Sequence, residues 1–270
     1  MNREQNKEVK ISFKEWGLQV GSYRLETSNT AVIVPLTSIK QLEFDNLLDT
    51  HSAADLFEVR ADLIWDTTDV DSLLWQITRL RSQTAHPLIL TFRSEQEGGE
   101  NKLEVADLLT IWEQVICNRF CDAIDIEYAL YEANKERLSE LMVLCKKYAV
   151  RTIFSHHTFD KSYSSETVSH LLTTMKEAGC DLPKIACMVE EQSAALEVIR
   201  GGFEAALQLE QGVIAIGMGR YGRITRLAGH DFGQPATFAA ATPLNLSAPG
   251  QLPADSIKAF LGNSPLSEQQ

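Results

Sequence analysis

The sequence lacks a cysteine framework and a metal-binding motif. Its five cysteines are odd in number and lie mostly inside apolar patterns, which is typical of free buried thiols rather than of a disulfide-stabilised domain. Cys117 and Cys121 have a helical spacing, but no second pair follows at the distance of a zinc motif. No metal site is therefore predicted.

Long apolar segments and an excess of basic residues are also missing. A membrane-spanning helix needs about 20 apolar residues, and the apolar runs of this chain are shorter. Residues 1–10 are charged and are not followed by the apolar part of a signal peptide, so we expect a cytoplasmic protein without a membrane anchor. The net charge of −12 argues against a nucleic-acid partner, because phosphates require a basic surface.

Repeats, linkers and low-complexity segments are absent as well. The length of 270 residues is close to the size of a single α/β barrel, about 250 residues. We therefore predict one domain over residues 1–270, with an N-terminal extension at 1–30 and a loose tail at 262–270.

Eight short apolar runs alternate with helical patterns. The clearest helix covers residues 105–116, where apolar side chains recur at intervals of three and four. Strands that alternate with helices predict parallel pairing. The runs are 31–36, 56–59, 87–92, 123–126, 150–154, 184–189, 213–216 and 236–241, and the other helices are expected at 73–80, 138–145, 168–175 and 194–209.

Polar residues stand at the C-terminal ends of several runs, where a (β/α)8 barrel assembles its active site. They are Glu58, Arg60, Arg93, Glu127, His156 and His157. Because several different strands contribute, the pattern favours a (β/α)8 TIM barrel over an open doubly wound sheet. Residues 11–20, interrupted at Trp16 and Gly17, are predicted as a β-hairpin that closes the bottom of the barrel.

Lys184 opens an apolar run that is expected to be buried, where an unpaired ammonium is unfavourable. Desolvation lowers the pKa of an amine and makes it a nucleophile that forms an imine with a ketone. His156 and His157 end the preceding run, and in an extended chain only one of them points inward, as a general base. Alternatively, Lys184 lies just before its strand, after Pro183, with its amine in solvent.

Three arginines, Arg60, Arg93 and Arg226, lie at strand ends, and their guanidinium groups suit a carboxylated substrate. The alternative is that each one pairs with a neighbouring Glu at the rim. Residues 217–222 match G-x-G-x-x-G, but they come too late in the chain for a dinucleotide fold. We interpret these glycines as a loop that packs tightly or runs close to a ligand.

Segments along the whole chain match one family. They are Val32-Ile33-Val34-Pro35-Leu36, Phe57-Glu58-Val59-Arg60-Ala61-Asp62, Leu90-Thr91-Phe92-Arg93-Ser94, Glu97-Gly98-Gly99-Glu100, Asp125-Ile126-Glu127, Ser155-His156-His157 with Phe159, Pro183-Lys184-Ile185-Ala186, Met218 with Gly222, Arg226-Leu227-Ala228-Gly229, Phe232-Gly233 with Ala236-Thr237-Phe238, and Ser247-Ala248-Pro249-Gly250-Gln251. The chain thus resembles type I 3-dehydroquinate dehydratase of the shikimate pathway. The resemblance implies a (β/α)8 barrel, usually a homodimer, that needs no cofactor.

The resemblance also implies a syn dehydration of 3-dehydroquinate to 3-dehydroshikimate. Lys184 would form an imine with the C3 ketone, and His157 would remove the C2 proton and then protonate the departing C1 hydroxyl. Glu97 would orient His157, and Arg226 would hold the substrate carboxylate. The other residues implied to bind the hydroxyls and the ring are Glu58, Arg60, Arg93, Ser247 and Gln251.

The chain departs from the family pattern near the presumed base. Thr158 stands where the family commonly has Asp, and Ser162-Tyr163 stands where Thr-Pro is usual. If an acidic neighbour raises the basicity of His157, the acidic limb of the pH-rate profile is expected to shift, and a Thr158→Asp variant would report this. The stretch between Phe238 and Ser247 is expected to be about two residues longer than usual.

Two other functions remain open at this point. Another lysine-imine barrel enzyme, such as a class I aldolase, would share Lys184, and a weakly active homologue would serve as a metabolite-binding protein, as Thr158 suggests. The sequence does not distinguish a biosynthetic role from quinate breakdown.

Overall fold

The computed structural model describes residues 15–38, 53–65, 69–241 and 246–262. Its main feature is a sheet of eight parallel strands in the order β10-β3-β4-β5-β6-β7-β8-β9, and the end strands β9 and β10 lie in contact. The strands are β3 (Ala31–Leu36), β4 (Leu56–Arg60), β5 (Leu88–Thr91), β6 (Ala123–Glu127), β7 (Arg151–Thr158), β8 (Leu182–Met188), β9 (Ile214–Met218) and β10 (Ala236–Phe238). The predicted (β/α)8 barrel is confirmed.

Helices cover the outside of the sheet. They are α1 (Ala61–Ile64), α2 (Val70–Gln83), α3 (Val105–Cys117), α4 (Tyr128–Ala133), α5 (Lys135–Tyr148), α6 (Ser165–Glu177), α7 (Gln192–Leu209), α8 (Arg223–Ala228) and α9 (Ala254–Gly262), with 3-10 turns at Glu95–Glu97 and Gly229–Phe232. Side-chain caps begin two of them, since Asp69 accepts from the Asp71 amide and Ser164 from the Thr167 amide. Within the described residues, no helix has the length and apolarity to cross a membrane.

The strands are buried on both faces, as expected for a parallel sheet covered by helices. Successive side chains point to opposite faces. Ile33 and Ile89 thus belong to the core inside the barrel, whereas Val34 and Trp112 belong to the core between the sheet and the helices. The inner face becomes polar toward the C-terminal strand ends, where Glu58 follows Leu56.

Two strands extend beyond the predicted runs. Strand β7 continues to Thr158, because His156 and His157 still pair with Ile185 and Ala186 of β8. Strand β8 begins at Leu182, so Lys184 is its third residue. The alternative that Lys184 precedes its strand is wrong.

The N-terminal hairpin is present but its turn was misplaced. Strands β1 (Gly17–Val20) and β2 (Tyr23–Glu26) pair antiparallel, and the turn between them is at residues 21–22, where Gly21 has φ +55°. A break at Trp16 and Gly17 is therefore wrong, because glycine tolerates a positive φ at the turn while Gly17 adopts extended backbone inside β1. Residues 11–14 of the predicted hairpin lie outside the described residues.

The hairpin covers the N-terminal end of the barrel. Val20 and Leu25 are buried against the inner core, and the Arg151 guanidinium at the start of β7 donates to the carbonyl of Gln19. This is the end opposite the polar residues, as predicted. The prediction of one domain over 1–270 stays a prediction, and residues 1–14 of the predicted extension and 263–270 of the predicted tail lie outside the described residues.

The glycines of residues 217–222 are explained by close chain packing. A Cβ on Gly222 would overlap the carbonyl of Gly217, and Gly219 has φ +83°. The Gly219 amide donates to the Pro249 carbonyl at 3.1 Å, which joins this loop to the loop after β10. The interpretation as a tightly packed loop agrees with this geometry.

Two tryptophans provide a matched test of the packing. Trp112 is 1% exposed and packs edge-on against Phe92, so Trp112→Ala is expected to lower the free energy of unfolding by about 3–5 kcal/mol. Trp75 is 62% exposed on α2, and the same substitution there is expected to cost less than about 1 kcal/mol. Urea titration measures both, and equal losses would contradict the packing described for α3.

Candidate active site

All nine candidate site residues line one pocket at the C-terminal ends of the strands. Glu58 and Arg60 lie on β4, Lys184 on β8 and His157 on β7. The remaining five are Arg93, Glu97, Arg226, Ser247 and Gln251. Apolar side chains complete the lining, among them Phe159, Ile216, Met218 and Phe238. A polar cluster inside an apolar wall is typical of a small-molecule site.

The Lys184 side chain is buried inside the barrel, with 3% of the residue exposed. Its Nζ lies 2.9 Å from Oδ2 of Asp125 and 3.7 Å from Oε1 of Glu58. The ring of Phe238 lies 4.2 Å away, measured from Nζ to the ring centre. The amine is therefore desolvated, as expected, but it is held by carboxylates rather than left unpaired.

Sequence reasoning missed the role of Asp125. This carboxylate lies inside the buried strand β6, which is the same signal that identified Lys184. Besides Lys184 it contacts Arg93 at 2.8 Å and accepts from the Ser155 hydroxyl at 2.5 Å. Burial alone would raise the pKa of the Asp125 carboxyl, but the cations of Arg93 and Lys184 outweigh burial and hold this pKa well below its usual range.

His157 is the histidine that reaches the pocket, and His156 is not part of the lining. The Nδ1 atom of His157 lies 2.9 Å from Oε2 of Glu97, which also accepts from the His157 amide at 3.1 Å. Burial, followed by the nearby charges of Arg93 and Lys184, lowers the pKa of His157 well below 6.5, so its imidazole is neutral at pH 7. With Nδ1–H donating to Glu97, Nε2 is the basic atom.

Two of the three arginines are paired with protein carboxylates. Arg60 forms two hydrogen bonds with Asp62, at 2.9 and 2.7 Å. Arg93 donates to Asp125, to the Ser155 hydroxyl and, at longer distance, to the carboxylates of Glu97 and Glu127. The alternative of carboxylate pairing therefore describes Arg60 and Arg93, although the pairs are buried and not at the rim.

Arg226 differs because no described carboxylate pairs with it. Its Nη1 donates to the Phe238 carbonyl at 3.0 Å, and its buried Nε has no hydrogen-bond partner among the described residues. The residue is only 2% exposed, and burial lowers the pKa of Arg226 to about 10, so it is still a cation at neutral pH. A buried cation whose Nε–H is unused fits an anionic ligand group.

Ser247 and Gln251 hold each other across a short turn. The Gln251 Oε1 atom accepts from the Ser247 amide and its Nε2 donates to the Ser247 hydroxyl, both at 2.8 Å. Gly250 between them has φ +78° and packs on the carbonyl of Gly219. Within the stretch between Phe238 and Ser247 that is predicted to be longer than usual, residues 242–245 lie outside the described residues.

Thr158 lies next to His157 but on the other face of β7. Its hydroxyl donates to Oδ1 of Asp160 at 2.6 Å. A carboxylate therefore lies beside Thr158, and it belongs to the residue two positions later in the chain. The carboxylate that contacts His157 is that of Glu97. The expected shift of the acidic limb with Thr158→Asp stays a prediction.

Comparisons with known proteins find one family over most of the chain. Residues 32–266 match the family model described as type I 3-dehydroquinase. A 3-dehydroquinate dehydratase of Bacillus licheniformis is 33% identical over 252 residues, which cover 90% of this chain and 96% of the relative. One of Escherichia coli O17:K52:H18 is 30% identical, with 87% and 93% covered.

Solved structures give the same result. The crystal structure of 3-dehydroquinate dehydratase from Geobacillus kaustophilus has a TM-score of 0.81 at 28% identity, with 93% of this chain and 96% of that chain covered. A type I enzyme from Clostridium difficile, solved with covalently modified comenic acid, has a TM-score of 0.79 at 27% identity, with 92% and 96% covered.

The charge of Asp125 is expected to stabilise the fold in a pH-dependent way. Asp125→Asn removes the nearer of the carboxylates that pair with Arg93 and Lys184, and we expect a loss of about 3–5 kcal/mol in the free energy of unfolding at pH 7. Because the folded-state pKa is depressed, this contribution is present above the unfolded-state pKa of about 3.9 and decreases as the pH falls below it.

Urea titrations of both proteins at pH 7 and at about pH 3 measure this difference. Asp160→Asn is the control, since Asp160 is fully exposed and should change stability little at either pH. A loss in Asp125→Asn that is the same at both pH values would contradict the charge interaction.

Proposed function

The chain belongs to the type I 3-dehydroquinase family, and we propose that it dehydrates 3-dehydroquinate to 3-dehydroshikimate, as a hydro-lyase of the shikimate pathway. One observation carries the proposal: the buried amine of Lys184 shares a pocket with a neutral imidazole, His157, and with Arg226, a cation that no described carboxylate pairs with. These are the three functions that imine-based elimination from a carboxylated ketone requires.

In the first step the Lys184 amine attacks the C3 ketone and water leaves, which gives an iminium ion. The attack requires a neutral amine, so Nζ must lose a proton as the substrate enters. Oε1 of Glu58, 3.7 Å away, is close enough to accept it, whereas Asp125, at 2.9 Å, stays an anion because its pKa is held low. The same carboxylates then lie beside the positive iminium nitrogen, which they stabilise.

In the second step His157 removes the C2 proton through Nε2, and the electron pair moves into the iminium to form an enamine. The imidazolium that results is stabilised by Glu97, which holds Nδ1–H. When the enamine electrons return, the C1–O bond breaks and the same imidazolium protonates the departing hydroxyl. Water then hydrolyses the product imine and frees Lys184. Because one imidazole serves both steps, the elimination is syn.

The remaining residues position the substrate. Arg226 holds the carboxylate with its unused donors, and Glu58, Ser247 and Gln251 face the hydroxyls and the ring. Arg60 completes this set while Asp62 fixes its guanidinium. Arg93 contacts the substrate only with the edge of its guanidinium group, because Asp125, Ser155 and the other carboxylates already accept hydrogen bonds from its N–H groups.

The imine itself accepts the electron pair, so the proposal includes no metal or organic cofactor. A homodimer and a cytoplasmic location also remain predictions, and so does the choice between biosynthesis and quinate breakdown. The family match favours the dehydratase over a class I aldolase.

Turnover of 3-dehydroquinate, followed by the absorbance of the enone product, tests the proposed function. We expect turnover by the unmodified protein, no detectable turnover by Lys184→Ala, and a loss of roughly 10²–10⁴-fold in kcat for His157→Asn. Lys146→Ala, at an exposed lysine of α5, is the matched control. Tight binding of 3-dehydroquinate by the unmodified protein without turnover would overturn the proposal and support the metabolite-binding alternative.

Removal of the Arg226 charge is expected to separate binding from stability. Arg226→Met should raise KM about 10- to 100-fold, the loss of a charge-assisted pair with the substrate carboxylate. The same change should not lower the free energy of unfolding, because it removes a buried cation with which no carboxylate of the described residues pairs. Steady-state kinetics and urea titration measure the two effects, and an unchanged KM would contradict the assigned role.

A further inference from the structure

The two carboxylate oxygens of Glu97 have very different surroundings. Oε2 accepts from the amide and from Nδ1 of His157 and lies 3.3 Å from Nη1 of Arg93. Oε1 is buried and has no hydrogen-bond partner among the described residues. A buried charged oxygen without a donor is costly and needs an explanation.

The imidazole of His156 lies close to this oxygen. Its Nδ1 lies 3.6 Å from Oε1 of Glu97, slightly beyond hydrogen-bonding distance. Its Nε2 lies 3.0 Å from the hydroxyl of Tyr163, and the two rings stack at 5.9 Å with an interplanar angle of 26°. The stack fixes the plane of the imidazole, so Nδ1 stays directed at Glu97.

Electrostatics selects one tautomer of His156. If Nε2 carried the proton, the lone pair of Nδ1 would face the carboxylate oxygen of Glu97, and the two would repel each other. If Nδ1 carries the proton, Nδ1–H points at Oε1 and the Tyr163 hydroxyl donates to Nε2. The second arrangement satisfies both ring nitrogens and the buried oxygen.

We propose that Tyr163 and His156 form a positioning pair that holds Glu97 from the side opposite to His157. This inference rests on the proposed function and extends it. The carboxylate is then bound at both oxygens, so it cannot rotate away when His157 becomes an imidazolium. The contact of 3.6 Å shortens when substrate closes the pocket, as contacts of an unliganded site commonly do.

Neither residue of the pair takes part in a step of the proposed reaction. Neither His156 nor Tyr163 lines the pocket. Neither group touches the substrate in the proposed mechanism. The pair therefore acts on the proton-transfer step through Glu97 and not on imine formation at Lys184.

Two variants that keep the stacked rings test the pair by kinetics. His156→Phe removes both nitrogens, and Tyr163→Phe removes only the hydroxyl. We expect kcat to fall roughly tenfold in His156→Phe, because this variant loses about one hydrogen bond to a charged group. The fall in kcat should be smaller in Tyr163→Phe, and KM should be nearly unchanged in both variants. The borohydride-trapped imine should form to the same extent as in the unmodified protein, because its chemistry is at Lys184.

The controls keep this result separate from the proposed function. If the unmodified protein forms the imine and turns over while both variants keep its kcat, the positioning pair is wrong and the proposed function stands. If the unmodified protein forms no imine, the proposed function fails. A loss of the imine in His156→Phe would also overturn the inference, since the pair is assigned to the later step.

A spectroscopic readout tests the pair without turnover. Long-range ¹H–¹⁵N spectra distinguish the two neutral tautomers of a histidine, and the His156→Phe variant assigns the signal. We expect the Nδ1–H tautomer of His156 in the unmodified protein and a larger share of the other tautomer in Tyr163→Phe. A dominant Nε2–H tautomer in the unmodified protein would overturn the proposal.

Discussion

The ion pair between Lys184 and Asp125 is the interaction on which the site depends. Two groups of opposite charge lie inside a barrel whose walls are apolar, and neither would be tolerated there alone. Arg93 neutralises the second oxygen of Asp125 and continues the network to Glu97, which in turn holds His157. The nucleophile and the base are therefore positioned by one connected set of charges.

The barrel keeps a different kind of charge for recognition. Arg60 and Arg93 are paired with protein carboxylates, whereas Arg226 is a buried cation that none of the described carboxylates pairs with. Such an arrangement lowers the stability of the empty pocket and favours an anionic ligand group that fills it. A protein with a net charge of −12 thus presents a local cation to a carboxylated substrate.

Much of the fold followed from periodicity, because parallel strands with helices on the outside read as continuous apolar runs. The continuation of β7 through His157 did not follow from periodicity, since polar residues that extend a strand resemble a loop in the sequence. The hairpin turn was misplaced because the choice between Gly17 and Gly21 depends on backbone φ, which composition does not reveal. Among the site residues, Lys184 was found from a charge inside an apolar run, and Asp125 carried the same signal. The pairing of Asp125 with Lys184 joins two strands that are not adjacent in the sheet. It could therefore be predicted only once the strand order of the barrel was known.

The most direct test of the role of the buried lysine is to locate the imine on the chain. The protein is incubated with 3-dehydroquinate and borohydride, digested, and analysed by peptide mass spectrometry, with Lys184→Ala alongside. We expect a reduced adduct on Lys184 that is absent from the variant. An adduct on another lysine, or none in a protein that turns over substrate, would contradict the central role of the buried lysine.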